Sequence, residues 1–266
     1  MTSLLRQLTS QRKLLLGVVH LRPLPGSPRF EGRLEAVVDS ARADCEAILE
    51  AGFDGYVLEN FGDLPFHPGP APAHVISCMT RVACELRRTG AFVVVNVLRN
   101  DAAGALAIAA ATGLQAVRVN VHCGAAVTDQ GIIEGRAAET LRLRNRLAPE
   151  VAILADVDVK HAVPLGHSRR LEDDARDVAY RGLADALIVT GPATGADASP
   201  DDLRAVSDAV PDRPILVGSG VAEENVAQWL QQSSGAIVGS SVKRGGRVEE
   251  PVDAARARRL VQAARG

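Results

Sequence analysis

Asp156, Asp158 and Lys160 sit at one parity, with Val157 and Val159 between them, and His161 follows directly. In an extended segment alternate side chains share a face, so the three would point together. A lysine beside two carboxylates is either a stable ion pair or a proton shuttle, because desolvation lowers a lysine pKa and a neighbouring carboxylate raises it again. The pattern recurs. Asn120 and His122 share a parity, Asn96 follows Val94, His20 follows Val18 and Leu16, and Glu59 closes an apolar run just before Asn60. The expected catalytic set is led by Asp156 and Lys160. Glu59 and Asn120 come next, with His20, Asn96, Asp158 and His161 after them. Any one of these could merely satisfy backbone groups where a strand ends. A set of them at the ends of successive segments argues for chemistry, since charges are rarely buried without partners.

A second signal is a pair of glycine-rich turns. One reads Val217-Gly218-Ser219-Gly220-Val221, with a helix expected from near Ala222; the other reads Val238-Gly239-Ser240-Ser241-Val242. Glycine lets backbone N–H groups approach a phosphate, and a helix N-terminus favours the anion. Gly218, Ser219, Gly220, Gly239, Ser240 and Ser241 are the expected phosphate contacts. Gly191, Thr194 and Gly195, in a third small-residue loop, either line the same pocket or form a plain turn. No cofactor is implied with certainty. His20, Glu59 and Asp156 could meet and hold a divalent ion, although no close-spaced His/carboxylate motif imposes one.

These residues must be positioned by something regular. Eight apolar runs fill the chain: Leu14–Val19, Gly55–Leu58, Phe92–Val97, Ala116–Val121, Val151–Val157, Ala186–Val189, Pro214–Val217 and Gly235–Val238. Helical periodicity lies between them, over Leu34–Ala51, Ala73–Arg88, Ala102–Thr112, Ala137–Leu147, Leu171–Arg181, Pro200–Ala209 and Ala222–Gln231, with Val252–Ala264 last. Gly or Pro follows most of these helices, as expected of stop signals. Alternating strand and helix builds a parallel sheet, and eight repeats close it. The predicted fold class is therefore α/β, a single (β/α)8 TIM barrel of the ribulose-phosphate-binding type over residues 1–266, with 1–13 as an N-terminal extension. In such a barrel chemistry sits at the C-terminal strand ends, and phosphate often binds between the last two loops. The long connections 21–33, 60–72 and 122–135 all follow strands on that face; the second, with Phe61 and Phe66, is expected to be a lid or a contact between subunits.

The 266 residues suit one barrel, and 47% hydrophobic content with only 3% aromatics requires an aliphatic core. A formal net charge of -2 with interspersed signs excludes the basic stripe of a nucleic-acid binder. No apolar run is long enough for a bilayer, and the polar start lacks the centre of a signal peptide. The expectation is a cytoplasmic protein without membrane or nucleic-acid partners; a homo-oligomer is left open. Cys45, Cys78, Cys84 and Cys123 form no C-x-x-C pair and read as reduced structural thiols, Cys123 being the one placed near a strand end.

At the same strand ends the chain resembles the BtpA/SgcQ family. The resemblance is carried by Val19-His20-Leu21 with Leu24-Pro25-Gly26-Ser27-Pro28, by Glu59-Asn60-Phe61-Gly62-Asp63, and by Asn96-Val97-Leu98-Arg99-Asn100-Asp101. It continues through Arg118-Val119-Asn120, Thr128-Asp129-Gln130-Gly131, Asp156-Val157, Val159-Lys160-His161-Ala162, Gly191–Gly195 and Gly218-Ser219-Gly220. What it implies is a ribulose-phosphate-binding type of barrel, with one member tied to photosystem I accumulation and another to sugar utilisation.

Two functions follow as expectations. One is an enzyme on a phosphorylated sugar or phosphoribosyl compound, performing phosphoribosyl transfer, isomerisation or carbon–carbon cleavage. Asp156 or Glu59 would stabilise positive charge and Lys160 or His161 would move the proton; a Schiff base on Lys160 is the lesser route, because two aspartates favour a protonated lysine. The other is a non-catalytic assembly or regulatory factor on the same scaffold. A sugar-phosphate sensor would share the phosphate site.

Overall fold

Strictly parallel pairing closes eight strands into a ring. The computed structural model describes residues 12–87, 90–158, 162–165, 170–191 and 198–266. The barrel strands are β1 (Leu14–His20), β2 (Gly55–Glu59), β3 (Phe92–Asn96), β4 (Ala116–Val119), β7 (Ala152–Asp158), β9 (Ala186–Val189), β10 (Ile215–Val217) and β11 (Gly235–Val238). The last strand returns to the first, Leu14 against Gly235 and Gly17 against Val238. A small antiparallel sheet is built from β5 (Ala125–Thr128), β6 (Gly131–Glu134) and β8 (Ala162–Pro164), in the order β6-β5-β8. It rises from the connections after β4 and β7, where a long loop was expected.

The helices are α1 (Leu34–Glu50), α2 (Ala73–Leu86), α3 (Ala102–Thr112), α4 (Ala137–Leu147), α5 (Leu171–Arg176), α6 (Pro200–Ala209), α7 (Val226–Gln232) and α8 (Ala254–Arg265). Their ends follow local chemistry. Asp101 caps α3 by accepting the Gly104 N–H at 2.8 Å, and Gly113 at φ 68 stops it in the left-handed region where a side chain is strained. Two boundaries differ from expectation. The periodic stretch after β8 turns from α into a π-type turn over Asp177–Arg181. α7 starts at Val226 rather than near Ala222 and has only seven residues. The turn Gly218–Gly220 therefore does not lead straight into a helix N-terminus, and the dipole argument for phosphate there is withdrawn.

Alternation divides each strand between two cores. Leu14, Leu16 and Val18 of β1 join Val57, Val94, Ala116, Leu154, Ile188, Leu216 and Ile237 inside the ring. Leu15 and Val19 face outward with Leu58, Val95, Ile153 and Leu187, against the helices. Each such buried aliphatic side chain contributes about 1.5–3 kcal/mol. Between β7 and β9 the register runs Asp156 to Ile188 and then Asp158 to Val189, so Val157 is a bulge residue.

The C-terminal segment is buckled onto the first helix. Lys243 Nζ lies 2.5 Å from Asp44 Oδ2 on α1, and the Val252 N–H donates to Asp44 Oδ1 at 2.7 Å. Lys243 is 1% exposed. Burial pulls its ammonium below the usual lysine value while Asp44 opposes that pull. Among the described residues no helix is long and apolar enough to cross a membrane.

Candidate active site at the barrel mouth

Following the inward parity of each strand upward by two residues gives the top layer of the ring. Val18 leads to His20, Val57 to Glu59, Val94 to Asn96, Ala116 to Arg118, Leu154 to Asp156, Ile188 to Thr190, Leu216 to Gly218 and Ile237 to Gly239. The strand register sets three of them side by side: His20 opposite Glu59, and Glu59 opposite Asn96. Five of the eight residues in the layer are thus ionisable or amide, and the other three are small. Above the floor formed by Val18 and Ile237 lies a cavity of about 340 Å³.

Glu59, His20, Arg118 and Asn120 line this cavity on one side, with Gly218, Ser219, Gly220, Gly239 and Ser240 on the other. Glu59 Oε2 accepts from Asn96 Nδ2 at 2.7 Å, and Glu59 Oε1 stands 4.0 Å from His20 Nε2. Asn96 is 1% exposed and stands behind Glu59 rather than on the cavity wall. A carboxylate with one oxygen anchored and the other facing a histidine is suited to proton transfer.

Asp156 does not line the cavity. It is 2% exposed, and Arg118 grips it in a fork, Nε to Oδ1 at 3.1 Å and Nη2 to Oδ2 at 3.0 Å. Asn120 Nδ2 adds a third bond to Oδ2 at 2.7 Å. A carboxylate only accepts, so Asp156 fixes which end of the Asn120 amide faces it. Burial lowers the basicity of Arg118, but the charges of Asp156 and Glu59 outweigh it and hold the guanidinium above its ordinary value. Arg118 and Asn120 thus occupy both oxygens of Asp156. With both of its oxygens engaged by donors, it does not fit the metal ligand expected alongside His20 and Glu59. Among the described residues no cluster of three His, Cys, Asp or Glu is placed to hold a metal ion.

The glycine side is braced by its own contacts. Gly191 N donates to Ser219 Oγ at 2.5 Å, tying the loop after β9 to the turn after β10. Asn225 holds the same turn from below, donating to Gly220 O and accepting from Ala222 N, each at 2.8 Å. A Cβ on Gly218 would stand 2.5 Å from Ile188 Cγ2, and Gly220 has φ 69, so both positions require glycine. Ser241 is turned away, its hydroxyl donating to Val221 O at 2.6 Å. Lys160, His161, Thr194 and Gly195 lie outside the described residues.

Phe61, Leu64 and Phe66 form part of the cavity wall, which gives the aromatic loop after β2 a place in the site. Phe61 packs edge-on to the His20 ring at 5.1 Å. The loop is pinned by Asp63, which accepts from Leu24 N at 2.7 Å and from Asn60 Nδ2 at 3.0 Å, while burial raises its carboxyl pKa.

Arg99 and Asp129 also line the cavity and pair with each other, Nε to Oδ1 at 3.3 Å. Neither they nor Arg118 were singled out from the sequence as site residues. Arg118 was findable, since it shares the parity of Asn120 inside an apolar run. His122 continues that parity but leaves the site: it is 1% exposed, its Nε2 meets Gly182 O at 2.8 Å, and burial lowers its pKa. All four cysteines are free thiols. Burial raises the Cys123 pKa, which disfavours a nucleophilic thiolate.

A family model described as the BtpA family matches residues 11–266. The chain belongs to the BtpA family. Over 94% of its length it is 45% identical to the photosystem I biogenesis protein BtpA of Synechocystis sp., covering 87% of that protein. An uncharacterised protein of Thermococcus kodakarensis is 44% identical over 96% of both chains. Among solved structures, phosphoribosyl anthranilate isomerase of Thermus thermophilus superposes with a TM-score of 0.52 at 16% identity, over 94% of this chain and 97% of that one. That likeness places the BtpA-family chain among TIM barrels and concerns the fold alone.

Proposed function

We propose that the protein is an enzyme acting on a phosphorylated sugar or phosphoribosyl compound by proton transfer next to a carbonyl, leading to isomerisation. One observation carries this reading: a single cavity is lined by both glycine turns and by Glu59, His20 and Arg118. The phosphate rests on the backbone of Gly218–Gly220 and Gly239–Ser240. The sugar carbons then lie over the ring axis.

Glu59 is the base that removes a proton from the carbon beside the carbonyl. The released electron pair forms an enediolate, and its oxygen is stabilised by the buried Arg118 cation. Returning the proton to the neighbouring carbon completes an isomerisation. His20, facing Glu59, and Lys160, two residues beyond β7, are the proposed proton carriers to oxygen. Phosphoribosyl transfer is the weaker fit, because Asp156 is already neutralised by Arg118 and cannot face a cationic ribose. A neighbour in fold named as a phosphoribosyl anthranilate isomerase is consistent with the substrate class.

The test is proton exchange. Ribulose 5-phosphate and ribose 5-phosphate incubated with the protein in D2O are expected to incorporate deuterium beside the carbonyl, followed by NMR. Glu59→Gln is expected to slow that exchange by a factor of about 10² or more, the scale of a general base. Absence of exchange with these phosphosugars, together with no binding of inorganic phosphate, overturns the proposal.

A second reading is favoured by the Synechocystis relative, named for photosystem I biogenesis. A non-catalytic assembly factor would tolerate loss of the polar layer. If a Glu59→Gln, Lys160→Met variant folds and still complements a deletion strain, that reading replaces the enzyme.

A further inference from the structure

A second cavity, of about 500 Å³, opens beside the first and shares His20, Phe61, Leu64 and Val248 with it. The phosphosugar reading uses only the first. A sugar phosphate held at the glycine turns would leave the second empty, although the two together fall within the size range of sites for larger ligands.

The chemistry of the second cavity is distinct. It is walled by Arg22 and Arg29 from the connection after β1, Arg33 just before α1, and the aromatic faces of Phe30 and Phe61. All three arginines are exposed. Among the described residues none of them is within ion-pair distance of a carboxylate. Glu35, two residues after Arg33, is held by Arg81 at 3.1 Å and feels Arg33 only as a weaker, more distant charge. Glu31 and Glu249 also reach the rim, so three guanidiniums face two carboxylates and the cavity keeps one net positive charge. Elsewhere on the surface arginines are mostly neutralised locally: Arg42 by Asp39, Arg176 by Asp173 and Arg259 by Glu223. Guanidinium forks match carboxylate and phosphate geometry.

We infer that the substrate carries a second anionic group, a phosphate or a carboxylate, at the end opposite its first phosphate, and that Arg22, Arg29 and Arg33 receive it. This rests on the phosphosugar reading above. The ligand runs from the glycine turns across the ring axis, passes His20 and Phe61, and ends among the arginines. The aromatic faces beside the passage suit a planar linker.

Isothermal titration with two matched pairs of probes tests this. Ribulose 5-phosphate and ribulose 1,5-bisphosphate differ by a terminal phosphate. Uridine 5′-monophosphate and orotidine 5′-monophosphate differ by a ring carboxylate. In at least one pair the doubly anionic member is expected to bind about tenfold tighter or more, and that gain shrinks with added salt. The pair that shows it names the group. In an Arg22→Gln, Arg29→Gln, Arg33→Gln variant the gain disappears while the affinity for the singly anionic probe stays the same. Equal affinity within each pair, or a gain that survives in the variant, overturns the inference. If ribulose 5-phosphate and uridine 5′-monophosphate bind without any gain, only this inference falls. If no probe binds at all, it falls together with the phosphosugar reading.

Discussion

Arg118 and Asp156 form a two-pronged ion pair under the barrel mouth, and neither side chain has appreciable contact with solvent. Removing one partner strands the other as a buried charge, which costs about 3–5 kcal/mol. Asp156→Asn and Arg118→Met are each expected to lose that much in urea denaturation. The double variant Arg118→Met, Asp156→Leu is expected to regain most of the stability while remaining inactive in the deuterium-exchange assay. Recovery of activity with stability would show that Arg118 serves the fold alone.

Gly218 supplies a sharper test of the phosphate turn. A Cβ there meets the side chains of Ile188 and Thr190 within 3 Å, and overpacking of this kind costs about 1–3 kcal/mol. Inorganic phosphate is expected to raise the Tm of the wild-type protein, because a ligand bound only to the folded state stabilises it by mass action. In Gly218→Ala that increment is expected to vanish, even after correction for the lower starting Tm. An equal rise in both proteins would place the anion elsewhere.

His122 predicts a pH dependence of stability with a definite sign. Burial lowers its folded pKa below the ordinary value of 6.5. Between the two values the unfolded chain binds a proton that the folded one refuses, so stability falls as pH drops below about 6.5. The loss from this one group levels off once pH is below the folded pKa. His122→Gln, which can still donate to Gly182 O, is expected to flatten that portion of the curve. Chemical denaturation of both proteins between pH 5 and 8 (a window chosen to bracket the free histidine value) measures the difference; parallel curves would refute the assignment.

Asp44 and Lys243 are not equivalent partners. Asp44 receives both the Lys243 ammonium and the Val252 N–H, so Asp44→Ala leaves two buried donors unmet and Lys243→Met leaves one lone carboxylate still bonded to backbone. Asp44→Ala is expected to destabilise by more, about 1–3 kcal/mol beyond Lys243→Met, the cost of one unsatisfied buried group. Matched guanidinium denaturation curves read the order directly.

The barrel was legible because its signal is redundant: eight aliphatic runs at strand length, each separated by helical periodicity and a glycine or proline stop. The top layer was half legible. Strand parity found His20, Glu59, Asn96 and Asp156, because each follows an inward aliphatic by two residues, and Asn120, which continues the parity of β4. It could not show that Asp156 sits behind Arg118, since that depends on how β4 lies beside β7. The same rule carried too far at His122, which lies beyond the end of β4. The small sheet left a signal that went unread. Val127 and Thr128 are separated from Ile132 and Ile133 by a short turn closed at Gly131, which is hairpin spacing. The Asp44–Lys243 pair had no local signature, because its members belong to opposite ends of the chain.

The seam where β1 meets β11 has a consequence for how the molecule is made. Leu14 leaves the ribosome well before Gly235, its neighbour in the ring. At ordinary rates of translation the first strand waits roughly ten to forty seconds for that partner. Throughout the wait one edge of the nascent sheet is open to any other extended chain, so the newborn protein is most vulnerable to aggregation just before β11 emerges.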